Sequence, residues 1–284
     1  MPPSLMNPRL PEAEIDCLRS LLEAAAELGV PVIAVGATAR WLVFNLPNDI
    51  PLHRTTKDWD FGVRVADWTV FRHLRQRLLE PSGPFTAGRH QHELDHKASG
   101  IRIDLVPFGG LENDGRILWP DTAFEMTVFG FSDALANAVE VKLAPDVKLP
   151  VASVPLLVAL KFFAFADRKN ETNRDLSDLW HVMRNYVVGG RESEPFDPPL
   201  SEVVDDQFDW DHVGPLLLGY DVGRACHETT IERLIPILQG LTDPYAKDIS
   251  PLISRPESEQ EEETERRRVS ASFFWLLNGL QVPR

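Results

Sequence analysis

The sequence predicts an α+β protein, with a strand-rich N-terminal core over residues 1–150 and a helical domain over residues 151–284. Three observations predict it. Short apolar or alternating runs bounded by Gly and Pro recur through the first half. Two of these runs carry acids on one face only. Past Pro150 the apolar residues recur at helical spacing and no further alternating run follows.

Each element has its own signal. Residues 11–28 place Ile15, Leu18, Leu21, Leu22 and Ala25 on one helical face and stop at Gly29. Residues 30–35 are a short apolar run suited to a buried strand. Gly36 breaks it, and 37–44 read as a helix. Residues 58–65 alternate as a strand does, and 67–79 read as an amphipathic helix. Strands are expected over 85–92 and 100–106, with another within 124–131. Residues 139–143 and 147–149, joined by Ala-Pro-Asp, predict a hairpin. Residues 154–166 form a strongly apolar helix and 173–186 an amphipathic one. The stretch 189–207, rich in Gly, Pro and acid, predicts a long acidic loop. Two or three further helices are expected, near 211–219, 225–241 and 262–280. There is no internal repeat.

Composition narrows the class. The chain has 284 residues, 43% of them hydrophobic, enough for a sizeable core. Its formal net charge of -14 is local. Residues 192–211 hold eight acids and 257–265 hold six, with no Lys or Arg in either run. Without them acids and bases balance at 29 each, so the chain has no overall basic footprint for nucleic acid. Two distant cysteines, Cys17 and Cys226, make neither a disulfide framework nor a zinc motif and fit a reducing compartment. The first residues lack a basic and then apolar leader, and no apolar window reaches the length of a membrane span. The protein reads as soluble and cytoplasmic, with no membrane partner.

The chemistry is expected at carboxylates. Asp58 and Asp60 lie two apart in a strand-like run, so both face one side while Trp59 and Phe61 face the core. Two like charges so close favour a neutralising cation, and hard oxygen ligands suit Mg²⁺ or Mn²⁺. Alone, Asp-x-Asp fits a solvated strand face equally well. Asp104 is a lone acid in the strand-like run Ile101-Arg-Ile-Asp-Leu-Val106. It fits a salt bridge to Arg102 or a neighbour, or the third carboxylate of a two-cation phosphoryl-transfer site. Gly36, Ala37 and Thr38 stand at a strand-to-helix turn, where backbone N–H groups can approach phosphate. Lys161 sits among Val158, Ala159, Phe162, Phe163 and Phe165, so it either snorkels to the surface or points into a cleft. Asp175 and Asp178 share a helix face and, with Arg174, fit an ordinary surface pair. His90, His92 and His96 around Glu93 and Asp95 form a competing, zinc-like constellation at an expected hairpin tip.

Together Gly36-Ala37, Asp58-Trp-Asp60 and Asp104 resemble the DNA polymerase β-like nucleotidyltransferase superfamily. That resemblance implies a mixed sheet flanked by helices. Within it, Gly36-Ala-Thr-Ala-Arg40 and Arg54-Thr-Thr-Lys-Asp-Trp-Asp-Phe61 are similar to the abortive-infection (AbiEii-type) toxin branch. So are Lys161 on its helix and Arg174-Asp-Leu-Ser-Asp-Leu179. The resemblance spans about residues 30–185 and departs at Ala37, where Gly or Ser is usual, and in a longer gap from Gly36 to Asp58. It implies transfer of a nucleoside monophosphate from an NTP, with Asp58, Asp60 and Asp104 holding the cations. Gly36, Ala37 and Thr38 would cradle the phosphates, assisted by Arg54, Lys57 and Lys161, and Asp178 would join the site. The branch implies a toxin with a cognate antitoxin, acting on RNA, notably tRNA, or on a protein. Two other readings remain open: an aminoglycoside-like antibiotic nucleotidyltransferase, which an acidic protein would suit, and a non-catalytic binding module, in which a carboxylate would be expected to be lost.

Overall fold

The computed structural model describes residues 10–51, 58–187, 189–253 and 257–283. The chain divides into two compact units, Met1–Leu157 and Val158–Arg284.

In the first unit α1 (Glu12–Glu27) leads to β1 (Val32–Val35), α2 (Gly36–Arg40) and a π-helical turn, Trp41–Asn45. β2 (Trp59–Val65), α3 (Trp68–Leu78), β3 (Phe85–Ala87), β4 (Glu93–His96) and β5 (Arg102–Gly109) follow. Then come β6 (Arg116–Leu118), β7 (Glu125–Thr127), α4 (Phe131–Ala136), β8 (Val139–Lys142) and β9 (Lys148–Val151). Seven strands form one sheet in the order β3-β4-β5-β2-β1-β9-β8. The β2/β5 and β1/β9 pairs are parallel and the others antiparallel, so the sheet is mixed, as expected.

Alternation in β2 sorts its two faces. Trp59, Phe61, Val63 and Val65 are buried, and the Trp59 indole donates to Glu14 on α1 at 2.8 Å. Asp60, Gly62 and Arg64 take the opposite face. There a Cβ on Gly62 would fall 2.6 Å from the Phe131 ring, so the missing side chain lets α4 lie close on the sheet. Phe108 of β5 meets the same ring, at 5.5 Å between centroids. Asp60, the acid of β2, therefore lies on the α4 side of the sheet.

Three expectations differ in detail. The strand expected over 85–92 is only β3, Phe85–Ala87; a turn at Gln91 and His92 then leads to β4, which lies past the expected range. The strand expected within 124–131 is only Glu125–Thr127, paired with β6, and Phe131 starts α4 instead. The helix expected over 37–44 begins at Gly36 and widens into the π turn.

The second unit is helical. α5 (Val154–Arg168) runs into it, followed by α6 (Arg174–Asn185), α7 (Val213–Ala225), α8 (Glu228–Gln239) and α9 (Glu259–Leu280). Leu216, Leu217, Val213 and Trp275 form part of its core where α7 packs on α9. The acidic segment 189–207 carries only short 3-10 turns, at Glu194–Phe196 and Leu200–Glu202. Arg191 fastens its start to α7 through Asp221, at 2.5 and 3.2 Å. No described helix is long and apolar enough to cross a membrane.

Candidate functional site

Strand register brings the acids of the first unit into a row. Asp60 pairs with Asp104 across parallel β2 and β5, and Asp104 pairs with Glu93 across antiparallel β4 and β5. Directly paired residues on neighbouring strands point to one face. Glu93, Asp104 and Asp60 thus line up over three adjacent strands. Asp58 sits one residue before β2, exposed, and its charge reaches Asp104.

The turn after β1 is shaped around Asp60. Gly36 has φ +76°, and a Cβ there would lie 2.0 Å from Asp60 Oδ2. Only glycine fits both the backbone and the space. The Thr38 hydroxyl donates at 2.8 Å to the Asp58 carbonyl, tying the start of α2 to the strand that carries the carboxylates. Arg54 and Lys57 lie outside the described residues.

Asp104 is the electrostatic centre. Its carboxyl is pushed up to about 7, first by burial and then by the charges of Asp60, Glu93 and Asp58; Arg102 pulls weakly the other way. One of its oxygens, Oδ1, is fully buried and has no hydrogen-bond partner among the described residues. Arg102 pairs instead with Asp95, at 3.1 Å, and Glu93, at 3.6 Å. A salt bridge to Arg102 is therefore not what holds Asp104. An unpartnered buried carboxylate oxygen in a row of acids is a donor set that fits a hard divalent cation.

Glu93 is the acid that sequence reasoning did not place in this site. It is only 8% exposed. Burial favours its neutral form, but the backbone N–H groups of His90 and Arg89, at 3.1 and 2.8 Å, and the nearby Arg102 outweigh that and hold it below the usual carboxylate range. His92 adjoins it. Burial lowers the His92 imidazole, partly offset by Glu93. A nitrogen of His92 and one oxygen each of Glu93 and Asp104 lie within 4.8 Å of one another. His96, from the same histidine set, is elsewhere: it is buried, bonded to Ser99 at 2.8 Å and packed on Phe85.

The second unit holds the other expected residues. Lys161 Nζ on α5 lies 3.1 Å from Asp175 and 3.0 Å from Asp178, both on α6. Arg168 adds two contacts to Asp175, at 3.0 and 2.9 Å. Asp175 is 3% exposed and Asp178 1%, so these are buried acids paired with a part-buried Lys161 and a half-exposed Arg168, not a helix-surface pair. Lys161 does not snorkel away; the two carboxylates fix where its ammonium points.

Comparison with known proteins adds one finding. A family model described as nucleotidyl transferase AbiEii toxin, type IV TA system, matches residues 21–271. No curated protein matches the chain.

Proposed function

The chain belongs to the AbiEii family of nucleotidyl transferase toxins of type IV toxin–antitoxin systems, and from that membership and the acidic row we propose that it transfers a nucleoside monophosphate from an NTP to the hydroxyl at an RNA 3′ end, tRNA being the first substrate to test. The observation that supports this most is the register that puts Asp60 beside Asp104, under a glycine turn with no room for a side chain.

Asp58, Asp60 and Asp104 are the residues that would hold Mg²⁺ or Mn²⁺, and the cation would offset phosphate charge and make the acceptor hydroxyl more acidic. The backbone N–H groups at Gly36, Ala37 and Thr38 would receive the triphosphate tail. Arg54 and Lys57 precede Asp58 in the chain and would add positive charge there. Lys161 is the cation that the family resemblance assigns to the nucleotide, oriented by Asp175 and Asp178. In the reaction the acceptor oxygen bonds to the α-phosphorus and the bond to the α–β bridging oxygen breaks. Pyrophosphate leaves, and Asp104 takes the hydroxyl proton. Membership of a type IV system implies a cognate antitoxin.

The test uses α-labelled NTPs, Mg²⁺ and either total RNA or a protein lysate. Label should enter RNA. The Asp58→Ala/Asp60→Ala protein should lose at least about a thousandfold of that rate while keeping its circular dichroism and melting profile. Full activity in the double variant would sink the proposal, and label confined to protein or to a small cationic drug would overturn the RNA assignment.

A further inference from the structure

We propose that His92, Glu93 and Asp104 form a second divalent-cation position, one strand over from Asp58 and Asp60, that takes a first-row transition cation such as Mn²⁺ in preference to Mg²⁺. It shares Asp104 with the proposed catalytic set, but its other two ligands come from β4 and the residue before it. Its presence is therefore separable from transfer activity.

Geometry carries the inference. The three ligand atoms lie within 4.8 Å of one another, close enough for one ion to draw them together. Each group is held by something other than an ion. The Leu105 N–H donates to the His92 carbonyl at 2.9 Å, which extends the β4/β5 ladder one residue and fixes the His92 backbone opposite Leu105, next to Asp104. The His90 ring stacks on the His92 ring at 5.6 Å, nearly parallel, and Trp119 tilts against it at 5.5 Å. Packing thus sets the plane of the imidazole. Glu93 is anchored by one oxygen, Oε2, on the N–H groups of Arg89 and His90. Its other oxygen, Oε1, is ion-paired with Arg102 at 3.6 Å without a hydrogen bond, so a cation there would displace that guanidinium. On Asp104 the buried Oδ1 has no hydrogen-bond partner among the described residues.

Ligand chemistry sets the selectivity. Mg²⁺ favours oxygen and retains several waters, whereas an imidazole nitrogen beside two carboxylates suits a transition cation. The neighbouring position is built from aspartates alone. The row of acids thus offers two unlike positions joined by Asp104, an arrangement that two-cation phosphoryl-transfer sites use.

The experiment is Mn²⁺ binding to the chelator-stripped full chain in excess Mg²⁺, followed by electron paramagnetic resonance. Wild type should retain Mn²⁺ against Mg²⁺, with imidazole-nitrogen coupling in the pulsed spectrum. His92→Ala should lose that coupling and weaken Mn²⁺ binding at least about tenfold, the loss that attends even an outer partner of a metal ligand. His92→Phe keeps a ring for His90 and Trp119 to pack on and should behave as His92→Ala does, which separates ligation from folding. Asp58→Asn/Asp60→Asn should retain both the Mn²⁺ and the nitrogen coupling, even with transfer abolished. Three results would overturn the proposal: no Mn²⁺ held against Mg²⁺, nitrogen coupling that survives His92→Phe, or loss of the ion in Asp58→Asn/Asp60→Asn.

Discussion

At the scale of single residues, charge is concentrated where the sheet cannot solvate it. Asp104 has a fully buried oxygen with no hydrogen-bond partner among the described residues and three acidic neighbours, and its carboxyl rises to about 7 from an ordinary 3.8. A folded-state value above the unfolded one gives stability that is complete below 3.8 and is lost as pH rises through about 7. Chelator-treated Asp104→Asn should therefore be more stable than wild type at pH 8, by on the order of 2 kcal/mol after discounting for partial exposure. Near pH 4 the two should converge. Urea denaturation at both pH values checks this, and a difference that does not depend on pH would refute the charge argument. The aspartates were legible because an acid stands out in an alternating apolar run. Glu93 was not, since His90-Gln-His-Glu-Leu-Asp-His96 is polar enough to read as a hairpin tip. Only its pairing with Asp104 places it on the acidic face.

At the scale of elements, two junctions do the positioning. The first is the β1-to-α2 turn. Gly36→Ala would set a Cβ 2.0 Å from Asp60 Oδ2 at a φ of +76°. The left-handed backbone alone costs about 1–2 kcal/mol. Asp60 must also move, so transfer should fall about a hundredfold, as misplacements near 1 Å do. Assay and melting temperature together check this, and wild-type values for both would contradict the turn's role. The second is the α5/α6 pair. Lys161→Met would remove the ammonium that buried Asp175 and Asp178 share and should cost about 3 kcal/mol, read as a shift in denaturation midpoint. Helical periodicity identified both helices. It did not reveal that Lys161 faces the next helix, because that partnership belongs to tertiary packing. Strand propensity misled at Phe131: aromatic residues favour strands, but this one starts α4 and fills the space over Gly62.

At the scale of the whole molecule, the α+β expectation holds: a mixed seven-stranded sheet in one unit and helices in the other. The charge reads differently in three dimensions. Glu262, Glu263 and Glu265 pair with Arg266, Arg267 and Arg268 one turn along α9, so half of the second acidic run is offset by the bases that follow it. Acids also open that helix, where its dipole favours them. Fold and family converge on nucleotidyl transfer, whose signature is which phosphate stays with the acceptor. The direct measurement incubates the purified chain with RNA and one NTP labelled on either the α- or the γ-phosphate. Nucleotidyl transfer predicts α-label in RNA and γ-label released as pyrophosphate, both dependent on Asp58 and Asp60. The γ-label in RNA, or α-label incorporated equally by Asp58→Ala/Asp60→Ala, would contradict it.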